Sequence, residues 1–445
     1  MSGLQTLRKL SVSPHHFIKR RNRRNPVLPA GYSRVVHMKD ISAVRKIYDA
    51  ASDRIKNVHI GCFKGMDKPL FLISDQYPGL WMEHVYDSVL YASMEPAYVY
   101  LAENAVNLFM DRQTEEGQLP FAVMDGGKRA SSQSAVCYWQ IQECVSFYTL
   151  CLEVYRMNHD RAFLEKAYAS GKKWDAWLRR YRMTTGRGLI EMFYGYDTGH
   201  DNSGRLNGIA CHGNYVVDGI PQNAGTLPPD DGITPILAVD MNANFYRNEK
   251  SLAEMARLLG KTEEAEAWEA SAGEIKAKLF AHCYNEQDAF FYDADRSGNQ
   301  RKFKSSTIFH LFLEKVLDPE EDTELIGRIY REHIKNPEEF WTPYPFPSMA
   351  VNDPSCAGHP TFNCWGYYTQ GLIVLRCIRW MDDYGWNSDM DYICEKWLET
   401  WTKHFDTIKL AQEIDPITGI PTNSSQWYSS CMLGYIYAAR RLGLV

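Results

Sequence analysis

The sequence lacks most of the segments and motifs that would assign it to a familiar class of protein. No apolar run approaches the ~20 residues that span a bilayer, and the N-terminus has no apolar stretch of the kind found in secretion signals. The G-x-x-x-x-G-K-[ST] phosphate loop, the H-E-x-x-H zinc motif and the G-x-S-x-G nucleophile elbow are missing. The 11 cysteines include no C-x-x-C pair. We therefore expect a cytoplasmic protein that binds no membrane and uses no metal or cofactor.

Basic residues are concentrated at the start of the chain. Residues 1–39 contain nine Lys or Arg and no acid, whereas the remainder carries 40 bases against 55 acids. The acidic remainder opposes binding to a phosphate backbone, so we expect no nucleic-acid partner. We predict that residues 1–40 form a basic arm, either solvated or packed on a neighbouring subunit of a homo-oligomer. Residues 41–445 are expected to form a single catalytic domain.

Helical signals recur about every 35–40 residues along the chain, without βαβ alternation. Such signals predict helices over 94–112, 136–157, 160–182, 249–259 and 366–384, among others. Short strand-like pieces such as Ala289-Phe-Phe-Tyr-Asp293 fit hairpins in the loops. No sequence-level repeat of the solenoid type is present. An all-α chain of this length must bury its amphipathic helices against one another, and a toroid of paired helices is the predicted fold.

Three carboxylates stand in unusual settings and could carry out glycoside cleavage. That reaction needs two carboxyl groups, one that protonates the leaving oxygen and one that activates water or attacks. Asp201 lies in Gly-His-Asp-Asn-Ser-Gly-Arg, Glu413 precedes Ile-Asp-Pro-Ile-Thr-Gly, and Asp87 follows Glu-His-Val-Tyr. Taken singly, the first two segments are ordinary turns and Asp87 is an ordinary charge on a helix face.

The order of these segments resembles that of the inverting toroidal glycosidases, which include trehalases, processing α-glucosidases and the hydrolases of mannosylglycerate and glucosylglycerate. Their G-W-D-N-S-P-R motif is similar to residues 199–205 at five of seven positions. Their late E-x-Y-x-P-x-T-G element resembles residues 413–419, and their early W-D-S element resembles residues 86–88. The likeness extends over about residues 74–442.

The resemblance implies a fold and a set of roles. The fold would be an (α/α)6 toroid, with Asp201 as general acid, Glu413 as general base and Asp87 bound to sugar hydroxyls. The nearby Asp197 lacks the following Ser and Arg, so it is rejected as the acid. For inversion, the carboxyl groups of Asp201 and Glu413 should lie about 6.5–9.5 Å apart, and their pKa values should be split so that Asp201 is protonated while Glu413 is ionised.

Departures from the family pattern limit what can be said of the substrate. His200 replaces the Trp of the acid motif and Gly204 replaces its Pro. The W-R-G-P element of trehalases is replaced around residues 363–370, which removes an Arg that contacts sugar. We therefore expect a small α-glucoside or α-mannoside, either a disaccharide or a glycosylglycerate, rather than trehalose itself. An acidic aglycone would need basic groups, for which Arg205, Lys128 and Arg129 are available.

Further residues are expected to line the substrate site. Arg205 lies four residues after the acid, and we predict that it contacts substrate or positions the site, with a structural ion pair as the alternative. Trp81, Tyr86, Trp365 and Trp427 are candidates for walls on which a sugar ring stacks. The remaining predicted substrate-binding residues are His200, Asn202, Gln142 and Gln370.

Two other functions remain open from the sequence. Sugar epimerases on the same toroid use paired histidines as acid and base, and this chain offers His200, His212, His310, His359 and His404, although no motif pairs them. A non-catalytic carbohydrate-binding protein is the third hypothesis. It predicts that a glycoside binds and stays intact.

Overall fold

Twelve α-helices lie within the part of the chain that the computed structural model describes. The described residues are 40–129, 134–213, 223–228, 230–356 and 365–445, with the backbone of 216–217 and 220–221. Residues 1–39 of the expected basic arm, His359 and residues 363–364 lie outside these ranges. The helices are α1 (Ile41–Val58), α2 (Val85–Met94), α3 (Val99–Met110), α4 (Phe147–Asn158), α5 (Arg161–Tyr181), α6 (Val239–Leu258), α7 (Thr262–Cys283), α8 (Ile308–Leu313), α9 (Thr323–Ile329), α10 (Gly371–Cys377), α11 (Asn387–His404) and α12 (Ser429–Arg441).

The even-numbered helices form an inner ring, and α1, α3, α5, α7 and α11 pack outside it. Helices α2, α4, α6 and α8 pack in that order, and α10, α12 and α2 continue the ring. Outside them, α3 packs on α2 and α4, α5 on α4 and α6, α7 on α6, and both α1 and α11 on α12. Inner helices are buried on nearly every side, as in α10, where all seven residues are buried. The predicted toroid of paired helices is confirmed.

Local sequence explains where the outer helix α5 begins and which of its faces is buried. In α5 the side chain of Asp160 accepts hydrogen bonds from the backbone N–H groups of Ala162 and Phe163, which caps the first turn. Trp174 and Trp177 lie on the predicted apolar stripe and are buried. The predicted bounds of 160–182 therefore differ from the observed helix by one residue at each end.

Short antiparallel strands occupy the loops between helices, as predicted. In chain order they are β1 (Ile60–Gly61), β2 (Leu70–Phe71), β3 (Gly79–Trp81), β4 (Ala122–Met124), β5 (Ala135–Cys137), β6 (Val216–Val217), β7 (Ile220–Pro221), β8 (Tyr284–Asn285), β9 (Phe290–Phe291), β10 (Thr369–Gln370) and β11 (Glu413–Ile414). Strands β3, β4 and β5 form one sheet, and the other pairs are β1 with β2, β6 with β7, β8 with β9 and β10 with β11. The predicted strand-like piece at 289–293 contains β9.

Four predicted helices have the wrong bounds. The helix expected over 94–112 begins only at Val99, after a 3-10 turn over Pro96–Tyr98. The helix expected over 136–157 begins only at 147, because residues 135–137 pair with β4. The helix expected over 249–259 begins ten residues earlier, at Val239, because its first turns carry buried polar residues that read as loop. The segment 366–384 contains a strand before α10 and a short 3-10 turn after it. Within the described residues, no helix is long and apolar enough to cross a membrane.

Candidate active site

Asp201 lies in a short loop between two 3-10 turns, Gly195–Thr198 and Gly204–Leu206; residues 199–205 are called the acid loop below. The loop begins at Gly199, whose φ of 71° lies in the left-handed region that favours glycine. A methyl group there would lie 3.2 Å from the Cys144 sulfur and 3.3 Å from a carboxylate oxygen of Glu83. The start of the acid loop therefore packs directly against Glu83.

Arg205 fixes the other end of the acid loop through a buried ion-pair network. Its Nη1 lies 2.5 Å from Asp293 Oδ2 and its Nη2 lies 2.6 Å from Asp240 Oδ2. The second Asp293 oxygen accepts the backbone N–H of Val239 at the start of α6. These partners favour the positioning role over substrate contact, because both terminal nitrogens of Arg205 are already engaged.

Removal of the Arg205 guanidinium is expected to destabilise the protein strongly. Arg205→Met leaves Asp240 and Asp293 buried without their cation, and breaking a buried pair from one side costs about 3–5 kcal/mol. Denaturant unfolding followed by circular dichroism would measure this loss. The exposed pair of Arg161 and Glu165 supplies the control, since Arg161→Met is expected to cost at most about 1 kcal/mol. Equal losses in the two variants would contradict the assigned role of Arg205.

The surroundings of Asp201 favour its protonated form. Burial raises the pKa of Asp201 to about 7, and the negative charge of Glu83 adds to that rise. Glu83 is itself buried, pairs with Arg376 of α10, and donates its backbone N–H to Gln142 Oε1 at 3.1 Å. Glu83 is a candidate site residue that the sequence analysis missed, and Gln142, a predicted substrate contact, accepts its backbone N–H.

Glu413 lies in β11, between α11 and α12. This strand pairs with β10, which leads directly into α10. Its side chain is only 2% exposed. Its carboxylate accepts hydrogen bonds from Ser424 Oγ at 3.1 Å and Thr422 Oγ1 at 3.3 Å. Burial raises the pKa of Glu413 to about 7, although both hydroxyl donors act in the opposite direction.

The expected split between the two pKa values is not observed, because both carboxyl groups are desolvated and both pKa values rise to about 7. The asymmetry lies instead in the neighbouring groups. The charge of Glu83 favours a proton on Asp201, whereas the hydroxyl groups of Ser424 and Thr422 favour the ionised form of Glu413. These neighbours act in the directions that an acid and a base respectively require.

Gln370 lies directly opposite Glu413 in the β10–β11 pair, so the two side chains project from the same face of the ladder. Gln370 is completely buried, and neither its amide oxygen nor its amide nitrogen has a hydrogen-bond partner among the described residues. A buried amide with no partner is costly unless it binds a ligand. The predicted site residue Gln370 therefore accompanies Glu413.

Two aromatic residues connect the neighbourhoods of the two carboxyl groups. The Tyr77 hydroxyl donates to Gln412 Oε1 at 3.3 Å, next to Glu413. The ring of Tyr77 packs 6.0 Å from that of His84, which follows Glu83 in the chain. The Tyr428 hydroxyl lies 3.0 Å from His84 Nε2 and its ring lies 5.7 Å from Tyr77. The fold thus brings segments more than 200 residues apart into one cluster.

The contacts of Asp87 differ from the expected sugar-binding role. Its oxygens accept hydrogen bonds from Ser429 and Ser430 at the start of α12, and His84 Nδ1 lies 3.1 Å away. Asp87 is 1% exposed. These bonds join α2 to α12 in the inner ring, while Glu83, four residues earlier, faces the acid loop. Sugar binding by Asp87 stays a prediction without support from its contacts.

Asp197, which the sequence analysis rejected as the acid, has structural contacts on both of its carboxylate oxygens. It is completely buried and pairs with Arg182 at 2.7 Å. Its Oδ2 also accepts the backbone N–H groups of Phe193 and Tyr194, and its Oδ1 accepts that of Ile141. The residue therefore organises the loop before Asp201.

The four aromatic candidates do not form one wall. Tyr86 is buried in α2 with the Arg379 guanidinium over its ring, and Trp365 is buried with its face stacked on His200 at 4.0 Å. Trp427 is covered by Arg54 on one face and Phe405 at its edge. Trp81, in β3, is partly buried and meets Tyr77 edge-on. Ring stacking on these residues stays a prediction, and it is best supported for Trp81.

Among the polar residues predicted to bind substrate, Asn202 lies beside Asp201 and is exposed.

His200 and His310 lie together, a pairing that the sequence did not indicate. Their ring centroids are 6.0 Å apart. Burial and the nearby Arg205 hold the pKa of His200 well below its usual range, and burial and Arg376 do the same for His310. Neutral imidazoles cannot supply a proton near neutral pH. A cavity of about 10 Å³ adjoins both rings, far below the several hundred cubic ångströms of a small-molecule site. The pair is therefore unsuited to the epimerase hypothesis.

Comparison with known proteins places this geometry in context. The profile of the mannosylglycerate hydrolase MGH1-like glycoside hydrolase domain matches residues 93–365. An uncharacterized protein of Borreliella burgdorferi is 27% identical over 118 residues, which cover 26% of this chain and 23% of that protein. The chain thus spans about a quarter of the length of this curated relative.

Solved structures share the toroidal fold over most of the chain. The mannosylglycerate hydrolase of Thermus thermophilus in complex with glucose superposes with a TM-score of 0.63 at 17% identity, covering 88% of this chain and 99% of that one. The neutral trehalase of Saccharomyces cerevisiae superposes with a TM-score of 0.62 at 13% identity, covering 84% of this chain and 73% of that one. These likenesses establish an (α/α)6 toroid.

Proposed function

The chain belongs to the family of mannosylglycerate hydrolase MGH1-like glycoside hydrolase domains, and on that premise we propose that it hydrolyses a small α-glycoside with inversion. Asp201 protonates the leaving oxygen, and Glu413 removes a proton from the attacking water. The observation that carries the proposal is the asymmetry around the carboxyl groups of Asp201, which is partly buried, and Glu413, which is buried. Glu83 raises the proton affinity of Asp201, while two hydroxyl donors stabilise the charge on Glu413.

We propose that Gln370 helps Glu413 by holding the attacking water in place. An attacking water must be held as well as deprotonated, because its oxygen has to face the anomeric carbon. The amide of Gln370 is buried opposite Glu413 and has no partner among the described residues. We propose that it bonds this water together with the Glu413 carboxylate. Gln370 would then be a catalytic residue rather than only a contact to substrate.

The proposed substrates are α-glucosides or α-mannosides that are either disaccharides or glycosylglycerates. A glycerate carboxylate would need a basic partner, and Arg205 is engaged by Asp240 and Asp293. Lys128 donates to the backbone oxygens of Ser74 and Tyr77, so exposed Arg129 is the remaining candidate among the three expected bases.

A substrate panel tests the proposed function. Purified protein is incubated with glucosylglycerate, mannosylglycerate, kojibiose, nigerose and trehalose, and the released monosaccharide is measured. Release from at least one of the first four is expected, with trehalose hydrolysed poorly. Tight binding of an intact glycoside over long incubation would instead support a non-catalytic carbohydrate-binding protein.

The pH profile of kcat/KM is expected to be bell-shaped, with its maximum near pH 7. Activity requires Glu413 ionised and Asp201 protonated, so protonation of Glu413 lowers the rate on the acid side and ionisation of Asp201 lowers it on the alkaline side. Because both pKa values are about 7, only about a quarter of the molecules hold the active form at the optimum. Initial rates between pH 5 and 9, at substrate well below KM, would measure both limbs.

Two variants separate these limbs. Glu83→Gln removes the charge that raises the pKa of Asp201, so the alkaline limb is expected to move to lower pH. Ser424→Ala removes a donor that lowers the pKa of Glu413, so the acid limb is expected to move to higher pH. Movement of the opposite limb in either variant would reverse the assignment of acid and base.

A further inference from the structure

A small cavity lies behind the acid loop, between α8 and α10. Its volume is about 10 Å³, which is enough for one water molecule. Except for Leu313, all of its lining residues are buried. They are His200, Ser306, Phe309, His310, Leu313, Ile373, Arg376 and Trp380.

Three of these lining residues carry a buried polar atom with no hydrogen-bond partner among the described residues. The atoms are His200 Nε2, Ser306 Oγ and Arg376 Nε, and their residues are 2%, 3% and 4% exposed. They come from the acid loop, the segment before α8, and α10. An unpaired buried polar group destabilises a protein, and three around one cavity indicate a shared partner.

The hydrogen-bond network indicates what that partner must offer. The Nη2 of Arg205 lies 3.4 Å from His200 Nδ1, whereas the nearest carboxylate oxygen, Asp240 Oδ2, is 3.6 Å away and beyond hydrogen-bond distance. Because a guanidinium only donates, we assign Nδ1 as the acceptor and Nε2 as the protonated nitrogen. The Nε of Arg376 also donates. The partner must therefore accept two hydrogen bonds, from His200 and Arg376, and can exchange a third with the Ser306 hydroxyl.

We propose that one water molecule occupies this cavity as a permanent part of the site. Water accepts two hydrogen bonds and donates one to Ser306, and three bonds are usual for a buried water. A halide would also accept from all three donors, but the positive charges are already compensated. Arg376 pairs with Glu83, and Arg205 pairs with Asp240 and Asp293. A neutral ligand of this size fits better than an anion.

The water links the two elements that set the environment of Asp201. His200 precedes Asp201 in the acid loop, and Arg376 holds Glu83, whose charge raises the pKa of Asp201. Ser306 anchors the same water from the segment before α8, although it contacts neither carboxyl group in the described structure. The water is therefore the positioning element, behind the groups that touch substrate, and Ser306 is one of its three partners.

High-resolution crystallography of the unliganded protein tests the water site directly. A single peak is expected within about 2.7–3.2 Å of His200 Nε2, Ser306 Oγ and Arg376 Nε. Crystals grown in sodium bromide should show no anomalous peak there. A bromide peak would overturn the proposal in favour of an anion, and the lack of any peak would overturn it in favour of a dry cavity.

Two variants at Ser306 provide a test in solution that does not depend on the proposed activity. Ser306→Ala keeps the cavity, so the water retains His200 and Arg376. Ser306→Val fills the cavity and displaces the water, which leaves two buried donors unpaired. The midpoint of thermal unfolding should be several degrees lower for S306V than for S306A. If the cavity is dry, filling it should stabilise the protein, and S306V at or above S306A would refute the water site.

The same pair of variants reports on positioning. Loss of the water should loosen Arg376 and change the influence of Glu83 on Asp201, so the alkaline limb of the kcat/KM profile should move in S306V and stay in place in S306A. An unchanged limb in both variants would show that the water does not position the acid loop. That outcome would leave the proposed roles of Asp201 and Glu413 intact, so the two proposals fail separately.

Discussion

Asp201→Asn is expected to lower turnover of an α-glycoside by about 10²–10⁴-fold, the usual contribution of general acid catalysis. The amide is nearly isosteric with the carboxyl group but cannot donate the required proton to the leaving oxygen. Circular dichroism should be unchanged, because the acid loop is held by Gly199 and Arg205 rather than by Asp201. Steady-state kinetics on the preferred substrate from the panel would measure the loss.

The same variant should be more stable than the wild type at alkaline pH. Folding raises the pKa of Asp201 from its ordinary value of 3.8 to about 7. The stability that the protonated carboxyl contributes is therefore complete below about pH 4 and is lost as pH rises through 7. Asparagine does not titrate, so the melting temperature of D201N should exceed that of wild type at pH 8.5, and the difference should shrink steadily as pH falls towards 4.5.

Exposed Glu286, on the β8–β9 hairpin, offers a matched control for D201N. Glu286→Gln removes one carboxylate from the surface and should alter neither turnover nor the pH dependence of stability. Near wild-type turnover in D201N would reject Asp201 as the acid. A loss of both turnover and folded structure would show that the residue is structural.

Glu413→Gln is expected to lower turnover by about the same factor, for a different reason. The amide keeps an oxygen that Ser424 and Thr422 can donate to, but it cannot accept a proton from water. A glycosyl fluoride distinguishes the two losses, because fluoride departs without protonation. D201N should recover much of its rate on the α-glycosyl fluoride of the preferred sugar, whereas E413Q should not.

Gln370→Leu supplies the companion measurement for E413Q. If Gln370 holds the attacking water, this variant should lose turnover on both the glycoside and the fluoride while its KM changes little. Recovery of either E413Q or Q370L on the fluoride would contradict the assignment of that residue to the water side of the reaction.

Local patterns were sufficient where contacts are local. The bounds of α5 followed from its apolar spacing and the Asp160 cap. Local patterns failed to predict the start of α6, because its first turns carry buried Asp240, Asn242 and Asn244, residues that are typical of loops. Asp240 is there because Arg205 needs a partner, and Asn242 bonds the backbone of Ile190. Such partners come from other segments and leave no periodic signal.

In the candidate site, too, local sequence predicted some residues, whereas those that depend on distant partners were missed or left open. Asp201 and Glu413 were identified because each lies in a segment with a recognisable order of residues. Glu83 was missed although it lies in a quoted segment, because its importance depends on Arg376, 293 residues away. The alternatives for Arg205 could likewise be weighed only once Asp240 and Asp293 were seen beside it.

The stereochemistry of hydrolysis tests the central proposal most directly. Proton NMR spectra recorded during the first minutes of cleavage of an α-glycoside, before mutarotation, identify the anomer that is released. With Asp201 as acid and Glu413 as base on opposite faces of the sugar ring, the first product should be the β-anomer. Initial release of the α-anomer would contradict an inverting reaction and with it the roles proposed for both carboxyl groups.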